Sequence, residues 1–507
     1  EQKYFWISIS GEICLFCQMR KFFIMTVLPM VIILFCALSA SGAEAPKREF
    51  RGAWIQCVNG QFQGLSREAM QRTLSYQLDE LQKDGVNAII FQVRAECDAL
   101  YNSSYEPWSK FLTGVQGQNP GWDPLEWMVG ECHKRGMEIH AWINPYRAKT
   151  KGTTSLAANH IAVRHPERVF QYDGLYILNP ALPENREYIC KIADDIVRRY
   201  DVDGLHIDDY FYPYPVAGVQ IPDAADYKAS GTSLSIGDWR RENVNTFIRQ
   251  LADSIHHTKP WVKFGVSPFG IYRNARPGVE GSNTRGLQNY DDLYADVIKW
   301  VNKGWIDYCV PQVYWQIGHK TADYATLIRW WNANAGNRPL FIGEDVERTI
   351  KYADVDNPNT NQVAAKHKLH EECGNVGGTV LWYAKAAVDN YNSYGVFLRN
   401  YYWKYPALQP LMPFIDDKAP GKPKKLKAYK NDSNVLLTWK APKGEGWRDA
   451  AHRYVVYQFA PGEDIDTGDA SHIVAITPHL SAELSRPQKK GKYIYVVTAL
   501  DRMSNES

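Results

Sequence analysis

The chain has 507 residues, of which 45% are hydrophobic and 22% are charged, a composition that excludes extensive disorder and fibrous repeats. Its 58 basic and 56 acidic residues leave a formal net charge of +2, so the chain lacks the basic excess by which proteins bind nucleic acid. Aromatic residues make up 13% of the chain. We expect most of these rings to pack in a large core and exposed ones to stack on sugar faces.

The N-terminal segment has the order of regions that marks a protein for export. The basic pair Arg20-Lys21 precedes an almost wholly apolar stretch over residues 22–38, and small residues follow as far as Ala43. This order predicts an upstream extension and a signal peptide over residues 1–43, and hence a protein of the periplasm or cell envelope. Two alternatives stay open, an uncleaved membrane anchor, for which the apolar stretch is short, and a lipid anchor at Cys36.

Six cysteines lie beyond this segment, widely scattered and without the spacing of metal ligands or redox pairs. We expect them to be small buried hydrophobic residues with at most one disulfide. They are Cys57, Cys97, Cys132, Cys190, Cys309 and Cys373. The sequence predicts no metal site and no cofactor.

From residue 50 onward, short apolar runs alternate with amphipathic helical patterns, which is the signature of a parallel α/β fold. Strands are predicted at 51–57, 87–94, 138–146, 204–212, 263–273, 307–315, 339–345 and 377–384. Eight strand–helix units over about 360 residues predict a (β/α)8 TIM barrel, which we assign to residues 47–405. The alternative is a doubly wound sheet, which would need a Gly-rich phosphate-binding turn after an early strand, and no such turn is present.

The composition changes after the predicted barrel. Residues 406–423 are rich in Pro, Lys and Asp, which predicts a linker. Strand-like runs such as Tyr454-Val455-Val456-Tyr457 then alternate with turn residues, which predicts a small all-β immunoglobulin-like sandwich over residues 424–507. These runs resemble a fibronectin type III domain. We expect this domain to fold apart from the barrel and to carry no catalytic group.

Strand parity selects the polar side chains that enter the barrel mouth. Alternate side chains of a barrel strand face the helices and should be apolar, while the others fill the interior. In the fourth strand, Leu205 and Ile207 take the helix side, which turns Asp208 towards the mouth. The same test turns these side chains inward: Gln92, Arg94, His140, Trp142, Asn144, His206, Tyr210, Ser267, Gln312, Tyr314 and Glu344. Deep barrel layers are usually branched and apolar, so polar groups converging at strand ends indicate a site.

Each of these residues also has a structural alternative. Asp208 or Asp209 would cap a loop, and Arg94 would be one half of a buried ion pair. His206 is more often a satisfied interior histidine than a catalyst. Glu344 would pair with a cation from a loop.

Short motifs along the predicted barrel carry a further indication. They are Phe50-Arg51-Gly52-Ala53-Trp54, Gln92-Val93-Arg94, Asp98-Ala99-Leu100-Tyr101, Ala141-Trp142-Ile143-Asn144-Pro145-Tyr146-Arg147, Asp203-Gly204-Leu205-His206-Ile207-Asp208-Asp209-Tyr210-Phe211-Tyr212-Pro213, Gly265-Val266-Ser267-Pro268-Phe269-Gly270 and Pro311-Gln312-Val313-Tyr314-Trp315. Together they resemble the glycosyl hydrolase-like ten family of bacterial secreted proteins and lipoproteins. The resemblance implies a TIM-barrel glycosidase. Its implied substrate is the glycan strand of the bacterial cell wall, particularly strands stripped of peptide.

Hydrolysis of an O-glycosidic bond usually needs two carboxyl groups that flank the bond. Asp208 is the first candidate, with Asp209 tuning its pKa or binding a sugar hydroxyl. The second group stays open between Glu344, Asp98 and Glu96, and with it the choice between retention and inversion. Asp98 has the alternative of ordering its loop. Glu344 stands where many family members have Gln, so its catalytic role does not follow from the resemblance.

The remaining candidates are expected to contact a polysaccharide substrate. They are Arg94, Asp98, Trp142, Asn144, Tyr146, His206, Tyr210, Gln312 and Tyr314. Rival functions are a non-catalytic carbohydrate-binding protein on the same scaffold, and a glycosidase acting on another environmental or host polysaccharide. A metal-dependent hydrolase or deacetylase is disfavoured because the histidines are isolated. Membrane contact is expected only through a lipid anchor or an uncleaved signal, and the oligomeric state stays open.

Overall fold

The computed structural model describes residues 46–487 and 491–507, and the predicted signal peptide lies outside them. Eight strands form the central sheet: β1 Phe50–Ile55, β2 Ala88–Arg94, β3 Glu138–Ile143, β4 Gly204–Ile207, β5 Lys263–Val266, β6 Tyr308–Cys309, β7 Leu340–Asp345 and β8 Val376–Trp382. The strands pair in parallel and close in the order β1–β8–β7–β6–β5–β4–β3–β2. Each overlaps one predicted strand, so the predicted TIM barrel is confirmed.

Seven main helices alternate with these strands: α1 Arg67–Lys83, α2 Pro124–Lys134, α3 Pro183–Arg199, α4 Ile236–Thr258, α5 Val297–Lys303, α6 Tyr324–Asn334 and α7 Val363–Glu372. Four of these helices are N-capped by a side chain that accepts a hydrogen bond from a backbone N–H of the first turn. The capping residues are Ser66, Asp123, Ser235 and Asp323. Shorter helical segments are Lys110–Thr113, Ile161–Arg164, Pro166–Arg168, Ala224–Ala229, Asn289–Asp292, Val346–Lys351, Ala384–Val388, Tyr391–Ser393, Tyr394–Phe397, Leu398–Tyr402, Gly446–Asp449 and Ala470–His472.

An insertion after β3 adds a small antiparallel sheet at the mouth of the barrel. Its strands are Arg147–Lys149, Val169–Tyr172 and Leu175–Leu178. The insertion places the Arg147 guanidinium over the ring of Tyr210, 4.9 Å from its centroid, and so brings a cation to the end of β4.

The lower interior of the barrel is polar and depends on two glycines. A Cβ atom at Gly265 would lie 1.9 Å from the Tyr308 ring, and one at Gly204 would lie 2.4 Å from His140 Nδ1. The space left by these glycines lets the Tyr308 hydroxyl reach His140 Nδ1 at 2.6 Å and His206 Nδ1 at 3.0 Å. The buried polar groups therefore satisfy one another, as buried polar groups must.

The C-terminal region contains six strands: β9 Lys424–Lys430, β10 Asn434–Lys440, β11 Arg453–Phe459, β12 Ile473–Thr477, β13 Ser481–Ser485 and β14 Ile494–Leu500. They form two antiparallel sheets, β9–β10–β13 and β12–β11–β14. Leu437 and Trp439 of β10 pack with Tyr454 and Val456 of β11 in one buried cluster between the sheets. The arrangement is compatible with the predicted sandwich, and the fibronectin type III assignment stays a prediction.

These sheets lie against the N-terminal ends of the barrel strands. Arg453 of β11 donates to the Gly136 carbonyl at 3.1 Å, and its guanidinium lies 3.3 Å from the Glu138 carboxylate at the start of β3. Gly136 has a φ of 72°, and a Cβ atom there would lie 2.7 Å from the carbonyl oxygen of Ile476 in β12, so a glycine permits the close approach.

The segment predicted as a linker is packed rather than free. Leu408 is buried in a cluster with Val455 and Tyr457 of β11. Met412 is buried together with Phe50 of β1. Residues 406–423 therefore contact both the barrel and the C-terminal sheets.

The six cysteines of the described chain are free thiols, and all except the half-buried Cys190 are buried. In the part of the chain that the structure describes, every helix is too short or too polar to cross a membrane.

Candidate active site

Two adjacent carboxylates follow β4 at the mouth of the barrel, where Asp208 is 5% exposed and Asp209 is 2% exposed. Burial, together with the neighbouring charge of Asp209, raises the pKa of Asp208 to about 7. Burial also raises the pKa of Asp209, although hydrogen bonds from Tyr214 and Gln312 oppose the shift. Two carboxylates so close do not both ionise readily, so the pair titrates as a unit and keeps one proton near neutral pH.

Asn144 orients Asp208. Its Oδ1 accepts hydrogen bonds from Gln92 Nε2 and Arg147 Nη2, each at 2.7 Å, and its Nδ2 donates to Asp208 Oδ2. The Gln92 amide is fixed in turn by two backbone N–H groups after β1, which donate to its Oε1 at 2.9 and 3.1 Å. Because an amide accepts at one end and donates at the other, this chain of bonds has one direction, towards Asp208.

Trp142 and Arg147 complete the surroundings of Asp208. Trp142 Nε1 donates to Oδ2 at 3.2 Å, the same oxygen that Asn144 contacts, and the Tyr210 N–H donates to Oδ1 at 3.4 Å. The positive charge of Arg147 opposes the rise in the pKa of both carboxylates. Sequence reasoning missed Arg147 as a site residue, although it stands in a quoted motif, because it belongs to the insertion rather than to a barrel strand.

Aromatic rings wall the mouth. Tyr314 and Trp382 are stacked with their centroids 5.9 Å apart, and Trp54 meets them edge-on at 6.3 and 6.2 Å. Trp142 lies edge-on to Trp382 at 6.3 Å. Such rings offer flat apolar faces to the C–H faces of a sugar. Tyr314 and Trp142 were predicted here, whereas Trp54 and Trp382 were not, although both are large aromatic residues at strand ends.

Tyr210 and Gln312 also lie at the mouth, as predicted. Tyr210 lines a cavity of about 200 Å³ beside Arg147, together with Tyr172 and Tyr214. Gln312 Nε2 donates to the Ser267 carbonyl at 2.8 Å, and the same side chain bonds to Asp209. A larger cavity of about 620 Å³ lies elsewhere on the barrel, with the side chains of Asn102, Trp108 and Trp122 among its lining.

His206 and Tyr146 lie away from the mouth. His206 is fully buried, with Nε2 at 2.8 Å from Ser267 Oγ, and burial holds its pKa well below its usual range, so the ring is neutral. The alternative of a satisfied interior histidine is thereby confirmed. The Tyr146 ring packs edge-on against Phe247 of α4 at 5.0 Å. The predicted substrate contact of Tyr146 is wrong, because its side chain fills the layer between sheet and helices.

Arg94 is one half of a buried ion pair, the structural alternative that the sequence also allowed for this residue. It is fully buried, and its Nε and Nη2 donate to the Glu106 carboxylate at 2.8 and 2.7 Å. Its Nη1 donates to the carbonyls of Asn144 and Pro145. Arg94 therefore does not reach substrate as predicted but holds the backbone that carries Asn144.

Asp98 and Glu96 are fully buried in the loop after β2. Asp98 accepts from the Glu96 N–H and from Gln116 Nε2, each at 3.1 Å. Glu96 accepts from the Thr150 N–H at 2.8 Å and from the Thr153 hydroxyl at 2.6 Å. These bonds order the loops, so neither carboxylate is available as the second catalytic group, and the substrate contact predicted for Asp98 is wrong.

Glu344 faces the helices, so its predicted inward orientation is wrong. Its carboxylate accepts from the hydroxyls of Tyr394 at 2.9 Å and Tyr324 at 3.3 Å. Burial is the largest influence on its pKa and would raise it, but the nearby Lys366, His370 and His367 and the hydrogen bond from Tyr394 together hold the pKa below its usual range. Parity failed because Leu340, Phe341 and Ile342 are all apolar, and only Phe341 turns out to fill the interior.

Asp345 occupies the position that parity gave to Glu344. It pairs in register with Trp382, the ring that packs with Trp54 and Tyr314 in the interior of the barrel. Burial raises the pKa of Asp345, and its Oδ1 accepts from the Arg348 N–H at 2.9 Å. A third carboxylate thus stands at the mouth on β7, beyond Tyr314 from the pair on β4, and sequence reasoning missed it by one residue.

Comparison with known proteins agrees with this geometry. The family profile described as Glycosyl hydrolase-like 10 matches residues 49–362. The protein named glycosyl hydrolase YngK of Bacillus subtilis (strain 168) is 39% identical over 474 residues, which cover 91% of this chain and 92% of that protein. Glycosyl hydrolase DigH of Escherichia coli (strain K12) is 40% identical over 330 residues, which cover 62% of this chain and 75% of that protein.

Solved structures of glycoside hydrolases align with the chain at low sequence identity and with TM-scores under 0.5. The glycoside hydrolase domain of PgaB (BpsB) from Bordetella bronchiseptica aligns with a TM-score of 0.44 and 11% identity, over 70% of this chain and 99% of that one. The catalytic domain of a β-amylase from Paenibacillus polymyxa aligns with a TM-score of 0.46 and 12% identity, over 71% of this chain and 99% of that one.

Proposed function

Since the chain belongs to the glycosyl hydrolase-like 10 family and is a glycosidase, we propose that it cleaves O-glycosidic bonds in peptidoglycan glycan strands from which the peptides have been removed. We further propose that it does so after export to the cell envelope. The observation that carries the chemistry is the buried pair Asp208 and Asp209 within an aromatic-walled barrel mouth. The glycan class is supported by the resemblance of the barrel motifs, and export by the order of basic, apolar and small segments before residue 44.

The two carboxylates divide the chemistry between them. Asp208, with its pKa near 7, keeps a proton at neutral pH and donates it to the oxygen of the departing sugar. Asp209, which accepts hydrogen bonds from Tyr214 and Gln312, ionises first and stabilises the positive charge that develops on the sugar ring. Asp345 lies on another strand of the same mouth and is the candidate for the second group that flanks the bond.

The accessible aromatic rings of the mouth support a sugar as the substrate. Tyr314 and Trp382 are half-buried and stacked on each other, whereas Trp54 and Trp142 are almost fully buried behind them. The exposed parts of Tyr314 and Trp382 are therefore the apolar surface that a sugar ring would contact.

The experiment is incubation of the purified chain with peptide-free peptidoglycan glycan strands, in parallel with peptide-substituted sacculi, followed by mass spectrometry of the products. We expect new reducing ends from the peptide-free strands and few from the sacculi. Asp208→Asn is the matched inactive control. Binding without product release would establish the carbohydrate-binding alternative instead, and faster cleavage of an unrelated polysaccharide would contradict the proposed substrate.

Export is tested separately by N-terminal sequencing of the protein recovered from the cells that make it. We expect the processed chain to begin near Glu44 and to fractionate outside the cytoplasm. A cytosolic product that retains Met19 would contradict the proposed location without affecting the proposed chemistry.

A further inference from the structure

Three side chains of the types that commonly ligate metals meet at the N-terminal end of the barrel, opposite the mouth. His133 lies in the last turn of α2, Asp203 precedes β4, and His452 precedes β11 in the C-terminal region. His133 Nε2 lies 2.9 Å from Asp203 Oδ2, and His452 Nε2 lies 4.0 Å from Asp203 Oδ1. One ligand atom from each residue falls within 4.8 Å of the others. Two imidazoles and a carboxylate form a donor set that suits Zn²⁺.

A second His–Asp pair in the same barrel shows what such a pair does without a third ligand. His256 in the last turn of α4 lies 2.8 Å from Asp307, which also accepts from the Phe264 N–H at 2.7 Å. Asp203 likewise accepts from the Ile139 N–H at 2.9 Å. The pair alone therefore fastens a helix to the start of a strand. Only the pair around Asp203 meets a second histidine within the described residues.

Within the described residues, the ring nitrogens of the second histidine, His452, make no hydrogen bond. At 4.0 Å, His452 Nε2 is too far from Asp203 for a hydrogen bond. Its ring lies edge-on to that of His133, with centroids 5.8 Å apart. Two ligands at about 2.0–2.1 Å from a common zinc lie roughly 3.4 Å apart in a tetrahedral site. The two distances to Asp203, 2.9 and 4.0 Å, bracket this value, and every separation within the cluster is at most 4.8 Å.

Access and charge at the cluster are compatible with an ion. The side chains of His133 and His452 are 18% and 17% exposed, so an ion and one water molecule reach them from solvent. The nearest cation is Arg453, 3.7 Å from Asp203 Oδ1. Its guanidinium already has partners in the Gly136 carbonyl at 3.1 Å and in Glu138 at 3.3 Å, so it does not depend on Asp203.

We propose that His133, Asp203 and His452 bind one Zn²⁺ ion, with water as the fourth ligand, and that this ion fastens the C-terminal sheets to the base of the barrel. Binding replaces the hydrogen bond between His133 Nε2 and Asp203 Oδ2 with bonds from both atoms to the metal ion. The three ligands lie far apart along the chain, which is why the sequence predicts no metal site. The site is at the opposite end of the barrel from Asp208, so hydrolysis does not require the ion.

The test is calorimetric titration of the full chain, freed of metal with a chelator, with Zn²⁺ alone. We expect one ion per chain, and a rise of the melting temperature when Zn²⁺ is added. His452→Gln and His133→Gln should each lower the affinity by at least ~10-fold, since each removes one of three ligands. His256→Gln is the matched control and should bind Zn²⁺ as the wild type does.

Several outcomes would overturn the proposal. One is absence of binding by the wild type at micromolar Zn²⁺, and another is unchanged affinity in His452→Gln. Should a variant fail to fold, Co²⁺ added to the wild type decides the matter. Strong visible absorption from tetrahedral Co²⁺ supports the site, and the weak bands of octahedral Co²⁺ contradict it. Glycan cleavage is not a readout here, so this proposal and the proposed function fail independently.

Discussion

The mouth and the base of this barrel hold buried carboxylates in opposite ways. At the mouth, Asp208 lies beside Asp209, and burial together with that like charge raises its pKa to about 7. At the base, Glu138 lies 2.5 Å from Lys263 and 3.3 Å from Arg453. Burial would raise the pKa of Glu138 as well, but the charges of Lys263 and Arg453 and the hydrogen bond from His140 together outweigh it, and the pKa falls to about 2.

The difference shows that burial alone does not make a carboxylate reactive. Both groups are enclosed by the same eight strands, and only the supply of counter-charge separates them. The base is closed by the C-terminal sheets, which bring Arg453, whereas the mouth is open and its cation, Arg147, is shared between two carboxylates. We therefore assign the charged groups at the base to stability and, under the proposed function, those at the mouth to chemistry, the usual division in a TIM barrel.

The largest expected effect comes from removing the proton donor at the mouth. Asp208→Asn keeps the shape and the bonds from Asn144 and Trp142 but removes the acid, so we expect turnover on peptide-free glycan to fall by about 10²–10⁴-fold. The melting temperature should stay close to that of the wild type, because the variant also relieves repulsion with Asp209. Asp209→Asn should cost less. Wild-type turnover in Asp208→Asn would show that the acid is another group.

The corresponding change at the base should affect stability and spare turnover. Arg453→Met removes one of two cationic partners of the fully buried Glu138 and leaves Lys263 at 2.5 Å, so we expect a cost below the about 3–5 kcal/mol of a fully broken buried ion pair. We expect a lower melting temperature, with turnover on short soluble glycans within about threefold of the wild type at a temperature where the variant is folded. A folded Arg453→Met variant that has lost activity would contradict the division between the two ends.

The pH dependence of stability sharpens the same contrast. The pKa of Glu138 is lower in the folded protein, at about 2, than the value of ~4.3 of an unfolded chain. Its contribution to stability is therefore fully present above about pH 4.3 and is lost as the pH falls towards 2. Melting temperatures measured across that interval should fall less steeply in Glu138→Gln than in the wild type.

Glu344→Gln should have a moderate effect on stability and almost none on catalysis. The substitution removes a carboxylate that lies among Tyr324, Tyr394 and Lys366 on the helix side, where loss of one buried partner costs about 1–3 kcal/mol. We expect turnover within about threefold of the wild type. Asp345→Asn, one residue further along the chain, is the comparison that should reduce turnover more. A loss of activity in Glu344→Gln that matches Asp208→Asn would contradict the assignment of its side.

The smallest expected effect is a shift in the pH dependence of the rate of hydrolysis. Asp208 must be protonated to act as the acid, so the rate should fall as the pH rises through about 7. Arg147→Met removes the positive charge that lowers this pKa, so the alkaline limb should move to higher pH. Arg147→Lys keeps the charge and serves as the control. An alkaline limb that stays in place in Arg147→Met would contradict the electrostatic role of Arg147.

The sequence predicts the barrel strands well because the alternation of apolar and polar residues is visible within each short segment. In β4, Leu205 and Ile207 separate one face cleanly from the other, and the orientation of Asp208 follows. In β7, three consecutive apolar residues remove that contrast, and the side was assigned wrongly at Glu344. Parity works where a strand has one apolar face and fails where both faces are buried.

The features that the sequence did not predict depend on contacts between residues that lie far apart along the chain. The pairing of Arg94 with Glu106 depends on how a long loop folds back over β2, which local patterns do not encode. The contact of Arg453 with Glu138 joins residues 315 positions apart. Composition alone therefore predicts a linker at residues 406–423, because the surface that buries this segment exists only once the barrel has formed.

The amide side chain of Gln312 limits how protons reach the mouth carboxylates. It donates to the Ser267 carbonyl and bonds to Asp209, while the Ser267 hydroxyl contacts His206 in the interior. An amide neither gives up nor takes up a proton near neutral pH, so this contact does not carry a proton from His206 to the carboxylates. In the proposed mechanism, Asp208 therefore recovers its proton from water that enters the mouth once the product has left.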